Sequence, residues 1–314
     1  MPSKEFYIAL QSIKQSMVSF RKQGYEFDVA TLRTTMSSKV FPVPEVAKIS
    51  AVEAGGVPAE WVRVSGARPD CRLLYLHGGG FVAGGLTSHR PLAAWLSEAS
   101  RCSVLLLEYR LAPEHTFPAA LHDAGSAFRW MRENGPDGES GTARSFIAGD
   151  SAGGGLALAT MMALRDAGDT LPDAAVTLSA WTDLALTGDS VKSRTPVDPI
   201  LNHAMMKILA SAYLGETDPR TPLASPLYGD MRGFPPLLLQ VGDREILLDD
   251  STRFAEKARS ADVHVDLEIW PEMFHVWQGL APLFPEGQQA INRIGEFIRA
   301  FCSPLRRGSN PRRT

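Results

Sequence analysis

The feature that most limits how this chain can fold is an alternation of short, almost uninterrupted apolar runs with stretches of helical period. The runs are Trp61–Val64, Leu73–Leu76, Val104–Leu107, Ser145–Ala148, Val176–Ser179, Leu237–Val241 and His264–Ile269. A strand wet on one face alternates apolar and polar residues, so continuous runs imply strands covered on both faces of a mainly parallel sheet. The last run does alternate, as an edge strand would. Between the runs, residues 91–100, 118–134, 152–167, 202–214, 249–260 and 287–301 carry apolar residues three and four apart. Strand and helix in turn predict a doubly wound α/β sheet flanked by helices.

Two stretches break this rhythm. Within residues 1–35, Phe6, Leu10, Ile13, Met17 and Phe20 recur at helical spacing. They predict one or two amphipathic helices that either pack on the core or close over a site. Around residues 183–215, turns rich in Asp, Pro and Thr lead into a helix containing Met205 and Met206. The expected division is N-terminal cap helices over 1–45 and a catalytic domain over 46–305 with a cap insertion at about 183–215. The basic, Gly- and Pro-containing tail 306–314 is expected to be disordered.

Composition removes several function classes. The formal net charge of -3 over 314 residues offers no basic stripe for a phosphate backbone, so no nucleic-acid partner is expected. No segment approaches the ~18 consecutive apolar residues of a membrane span. The opening Met-Pro-Ser-Lys-Glu, followed by Lys14, Arg21 and Lys22, lacks a signal-peptide core, which points to the cytoplasm. Cys71, Cys102 and Cys302 are odd in number and have no CxxC spacing. They predict neither a disulfide framework nor a zinc site, and the first two, each preceding an apolar run, read as buried thiols.

The chemistry is concentrated in four places. Gly149-Asp150-Ser151-Ala152-Gly153 follows the apolar run ending at Ala148 and precedes a helical stretch. In that context G-x-S-x-G makes a nucleophile elbow, where small neighbours leave room for a serine on a strained turn. The new helix also aims its N-terminal dipole and N–H groups at developing negative charge. His77-Gly78-Gly79-Gly80-Phe81 follows the strand Leu73–Leu76. Three glycines let backbone amides approach a substrate, and the expected oxyanion donors are the N–H groups of Gly79, Gly80 and Ala152. A phosphate loop is excluded, because no Gly-Lys-Ser/Thr trails the glycines.

A serine nucleophile of this kind needs a base late in the chain, in the order Ser, acid, His. His264 lies inside a strand pattern, whereas His275 lies in a loop before the last helix. His275 is therefore the expected base. The acid should follow the run Leu237–Val241, where Asp243, Glu245, Asp249 and Asp250 crowd together. Asp249 and Asp250 read as the first turn of the next helix, where they would cap it and complement its dipole. Asp243 and Glu245 remain.

These motifs, with Tyr109-Arg110-Leu111-Ala112-Pro113-Glu114, Phe117-Pro118-Ala119-Ala120, Asp123, Ser179-Ala180-Trp181-Thr182-Asp183 and Phe274-His275, resemble the hormone-sensitive-lipase-like esterases, bacterial family IV. The resemblance runs in order across most of the chain. It implies an α/β-hydrolase fold: a mostly parallel eight-stranded sheet flanked by helices, under a cap built from the N-terminus and an insertion near the sixth strand. The family's acid opens an Asp-Pro-Leu-x-Asp-Glu segment. Aligned on its trailing acidic pair, that Asp falls on Glu245, with Glu in place of Asp and no Pro. Asp150 would support the loop beside the nucleophile.

The implied function is a carboxylesterase acting on short-chain esters through an acyl-enzyme, with Ser151, His275 and Glu245 as triad and no metal or organic cofactor. A lipase, deacetylase or amidase could use the same machinery. A non-catalytic ligand-binding relative, like the gibberellin receptors, would have lost the catalytic His that is present here. The resemblance also implies pairing of two copies through an edge strand, for which His264–Ile269 is the candidate.

Overall fold

The structure, a computed structural model, describes residues 1–22, 28–38 and 41–302. The tail 306–314 and the side chains of Met17 and Phe20 lie outside the described residues. The strands of the main sheet are β1 (Lys48–Glu53), β2 (Pro58–Arg63), β3 (Arg68–Leu76), β4 (Cys102–Leu107), β5 (Arg144–Asp150), β6 (Ala174–Leu178), β7 (Leu237–Gly242) and β8 (Val265–Trp270). Their spatial order is β1-β2-β4-β3-β5-β6-β7-β8. β2 runs antiparallel to both β1 and β4, and the remaining neighbours are parallel. β8 is an edge strand, as its alternation predicts.

Two helices precede the sheet, α1 (Lys4–Lys22) and α2 (Val29–Ser38). Then come α3 (Leu86–Ser100), α4 (Ala119–Glu133), α5 (Ala152–Asp166), the short α6 (Ser190–Ser193), α7 (His203–Leu214), α8 (Leu248–Arg259) and α9 (Pro285–Cys302). None of these is long and apolar enough to cross a membrane.

Side-chain alternation along each strand divides the core into two layers. Leu73 and Tyr75 of β3 face one layer with Leu106, Phe146 and Val176, covered by α3 and α9. Leu74 and Leu76 face the other with Leu105, Leu107 and Ile147, covered by α4, α5 and α8. Cys71 and Cys102 are buried in the first layer. A third cluster seats α1 on the end of the sheet: Phe6, fully buried, stacks on Phe274 at 5.9 Å and meets Phe284 edge-on at 5.5 Å.

Candidate active site

Ser151 stands between the end of β5 and the start of α5, at φ 52 and ψ -121. Such an angle is costly for a residue with a Cβ and persists only where the surroundings enforce it. Here they do. The Ser151 amide donates to the Leu178 carbonyl at 2.8 Å, and its carbonyl accepts from the amides of Trp181 and Gly155. The flanking glycines are a steric necessity. A Cβ at Gly149 would overlap the Gly153 carbonyl, and one at Gly153 would overlap the carbonyl oxygens of Leu76 and His77. Helix and strand could not approach with any larger residue.

The glycine loop expected to carry the oxyanion donors lies alongside. Gly79 and Gly80 have φ of 119 and 64, which glycine adopts freely. A Cβ at Gly79 would overlap the Ala83 carbonyl, whose own amide donates back to Gly79 O. The amides of Gly79, Gly80 and Ala152 have no acceptor among the described residues, so they are available to a ligand oxygen.

Asp150 sits behind this loop rather than facing the serine. Its Oδ1 accepts from Tyr75 Oη at 2.8 Å and from the Gly78 amide at 3.0 Å, with His89 Nε2 at 3.4 Å. Burial opposes its charge, yet His89, Tyr75 and His77 outweigh that and hold the carboxyl below the usual range. His77 is fully buried, stacked on Tyr109 at 4.2 Å, and donates from Nδ1 to the Gly78 carbonyl. Burial, and then the neighbouring His89, push its pKa down to about 3. His77 is thus a neutral brace. Tyr109 completes the support by donating to the His77 carbonyl at 2.6 Å.

On the other side, His275 Nε2 lies 2.9 Å from Ser151 Oγ, and its Nδ1 lies 2.8 Å from Glu245 Oε2. Glu245 is completely buried. Its Oε1 accepts from the Gly242 amide and from Ser179 Oγ, both at 2.7 Å. For His275, burial works against the charged form. The hydrogen bond and charge of Glu245, with Asp198 and Asp150 behind, overcome it and raise the pKa above the ordinary histidine value.

Of the four acidic residues after β7, only Glu245 reaches His275. Asp243 accepts from the Glu272 amide at 2.7 Å and shapes the turn. Asp249 and Asp250 do occupy the first turn of α8, but they do not cap it, contrary to the sequence reading. Asp249 accepts from the Ser190 amide, and Asp250 accepts from the amides of Thr182 and Asp183. Both carboxylates pair with amides of the chain beyond β6 instead of capping their own helix. His264 lies beside Asp266, at β8.

Two residues to which the sequence reading gave no role at the site complete the frame. Ser179 Oγ donates to Glu245 and accepts from the Val276 amide at 3.1 Å, so one hydroxyl joins the acid loop to the histidine loop. Asp198 accepts from the amides of Ile200, Leu201 and Ile246. The dipeptide Asp198-Pro199 is a turn signal that could have flagged the second. Ser179 opens the motif Ser179–Asp183, but nothing local marks its hydroxyl as the link between the two loops.

Above Ser151 and His275 opens a cavity of about 520 Å³. Its walls include Ser12 and Ile13 from α1, Leu32, Thr35 and Met36 from α2, and Met205, Met206 and Leu209 from α7. Among the described residues no group of three His, Cys, Asp or Glu side chains could hold a metal ion.

Comparisons with known proteins show the family to which this fold belongs. A family model described as the alpha/beta hydrolase fold matches residues 73–279. An acetyl-hydrolase of Streptomyces hygroscopicus is 49% identical over 250 residues, covering 79% of this chain and 81% of that protein. The crystal structure of an esterase from the bacterial hormone-sensitive lipase family superposes with a TM-score of 0.87 at 42% identity, covering 96% of this chain and 99% of the other. EstE5, crystallised and soaked with p-nitrophenyl butyrate, gives 0.88 at 40% identity, covering 95% and 98%. The chain belongs to the α/β-hydrolase family, among its hormone-sensitive-lipase-like carboxylesterases.

Proposed function

We propose that this enzyme hydrolyses short-chain carboxylic esters with Ser151 as nucleophile, His275 as base and Glu245 as the third member of the triad. The observation that carries the reading is the unbroken Ser151–His275–Glu245 hydrogen-bonded chain beneath the cavity. Beside it stand three backbone amides with no other acceptor among the described residues.

His275 takes the proton from Ser151 Oγ as the alkoxide adds to the ester carbonyl, and Glu245 holds the imidazole in the tautomer this requires. The developing oxyanion is met by the amides of Gly79, Gly80 and Ala152, donors already fixed by their loops. His275 then protonates the departing alcohol. Water, activated by the same imidazole, releases the acid from Ser151.

In this reading residues 1–45 and about 183–215 form a cap, since α1, α2 and α7 supply the cavity walls opposite the serine. A cavity of about 520 Å³ suits small acyl groups better than a triacylglycerol. The soaking of the similar EstE5 with p-nitrophenyl butyrate is consistent with esters of that size. Pairing of two copies through the open edge of β8 belongs to the same proposal and is tested by sedimentation.

Ser151→Ala is the decisive experiment. It should lower kcat on p-nitrophenyl butyrate by at least ~10⁴-fold with an unchanged circular dichroism spectrum. Turnover equal to that of the wild type would overturn the mechanism. Faster wild-type turnover of emulsified trioleate than of butyrate would turn the reading toward a lipase.

A further inference from the structure

The cavity has one wall that its own packing does not explain. α2 presents Leu32, Thr35 and Met36 to the cavity but buries no side chain. Val29, Leu32 and Met36 are only partly buried against the main core. Packing of an apolar face normally holds a helix in place, and ten residues are too few for a helix that is stable alone.

Arg33, on the same helix, makes the connection. Its Nε donates to the Val82 carbonyl at 2.7 Å and its Nη2 to the Ala112 carbonyl at 3.0 Å. Nη1 and Nη2 also grip the two carboxylate oxygens of Glu114 at 2.8 and 2.7 Å, the planar two-pronged geometry that only arginine offers. The anchoring carbonyls belong to the frame of the oxyanion loop: Val82 N donates to Gly79 O, and Ala112 N donates to Phe81 O. The Arg33 hydrogen bond draws the Glu114 carboxyl down to about 2, so the pair stays charged through the neutral range.

Resting on the proposed esterase reading, we propose that Arg33 is a positioning residue that latches α2 over the cavity and so sets how strongly the enzyme holds the longer acyl chains. A small acyl group reacting at Ser151 ends short of α2. A longer one reaches Leu32 and Met36 and gains from burial only while the latch keeps them in place. The carbonyl bonds fix where the helix sits. The Glu114 pair, with its side chains 35% and 55% exposed, is the part that salt can weaken.

The test compares Arg33→Ala, Arg33→Lys and Glu114→Gln on p-nitrophenyl acetate, butyrate and hexanoate, with hydrogen exchange of residues 29–38 measured in parallel. Arg33→Ala should raise KM for hexanoate roughly tenfold, as expected when about two methylenes lose an apolar wall, and KM for acetate by less than about twofold. kcat should change less than KM, and amides of α2 should exchange faster while those of α5 do not. Arg33→Lys should fall between, keeping the charge but losing the fork. Glu114→Gln should give a smaller shift in the same order of substrates and should remove the salt dependence of KM expected of the wild type. A KM equally affected at every chain length, or a uniform loss of kcat, would overturn the latch. Unchanged exchange of α2 in both Arg33→Lys and Glu114→Gln would do so even if Arg33→Ala does not fold. Were the protein to hydrolyse no ester, the exchange data would still decide whether Arg33 holds α2, and only the esterase reading would fail.

Discussion

The elbow around Ser151 and the loops bearing Glu245 and His275 meet across one hydrogen bond of 2.9 Å, yet different forces hold them. On the serine side the fold is fixed by what cannot be there. Gly149 and Gly153 are packed so closely on backbone that no Cβ fits, and the Ser151 backbone is pinned by three main-chain hydrogen bonds. On the histidine side the fold is fixed by what must be there. Ser179, Asp198 and the Gly242 amide each supply a donor or acceptor from a different part of the chain. Steric exclusion leaves a contiguous mark in sequence. A hydrogen-bonded frame leaves scattered polar residues that look ordinary one at a time.

If that contrast is right, the smallest change should do most harm on the serine side. Gly153→Ala adds one methyl group against the main chain of Leu76 and His77, where no flexible side chain can yield. Overpacking usually costs ~1–3 kcal/mol when side chains can shift. Here the expected loss is above ~3 kcal/mol, read as a collapse of soluble yield or a large fall in melting temperature. A folded, active Gly153→Ala enzyme would break the comparison at its firmest point.

The next effect separates the two acids. Glu245→Gln keeps the shape but removes the charge beside His275 and can impose the wrong tautomer. The expected loss in kcat is at least ~10²-fold, about 2.7 kcal/mol. Asp243→Asn should cost less than about threefold, because an amide oxygen can still accept from the Glu272 amide. Melting temperatures should be matched first. A more damaging Asp243→Asn would return the third triad position to Asp243.

The same contrast explains how far the sequence could be read. The α/β alternation was legible because buried strands must be apolar, and each predicted helix window lies on an observed helix. β1 escaped notice because Lys48–Glu53 is an outer strand with little burial and no apolar run. The short hairpin pairing Asn134–Gly135 with Gly138–Glu139 carries too few residues for any period. The elbow and the oxyanion loop were legible as glycine motifs. The acid was not, from local pattern alone, because Asp243 and Glu245 are two residues apart and only tertiary contacts distinguish them. Alignment to the family motif pointed to Glu245, and the geometry brings that residue to His275.

The subtlest expected effect probes the frame itself, through Ser179. Its hydroxyl touches neither Ser151 nor any atom that changes bonding. It only stabilises Glu245 as an anion and ties down Val276, the residue after His275. Ser179→Ala leaves Glu245 Oε1 with the Gly242 amide alone and the Val276 amide without its acceptor. An unmade buried hydrogen bond costs ~1–3 kcal/mol, so a loss in kcat of about tenfold is expected with KM nearly constant. The pH profile carries the sharper information. His275 must be neutral to act as base, and Glu245 already lifts its pKa, so activity should rise through a midpoint above the ordinary histidine value. A carboxylate that has lost a donor is more basic and favours the imidazolium more strongly, so Ser179→Ala should move that midpoint to still higher pH. Glu245→Gln removes the group that lifts the pKa and should move it to lower pH. Opposite shifts in the two variants would show that Ser179 acts through the carboxylate. A kcat loss in Ser179→Ala with an unmoved midpoint would reduce it to a packing role, and the histidine side would then be held more like the serine side than its hydrogen bonds imply.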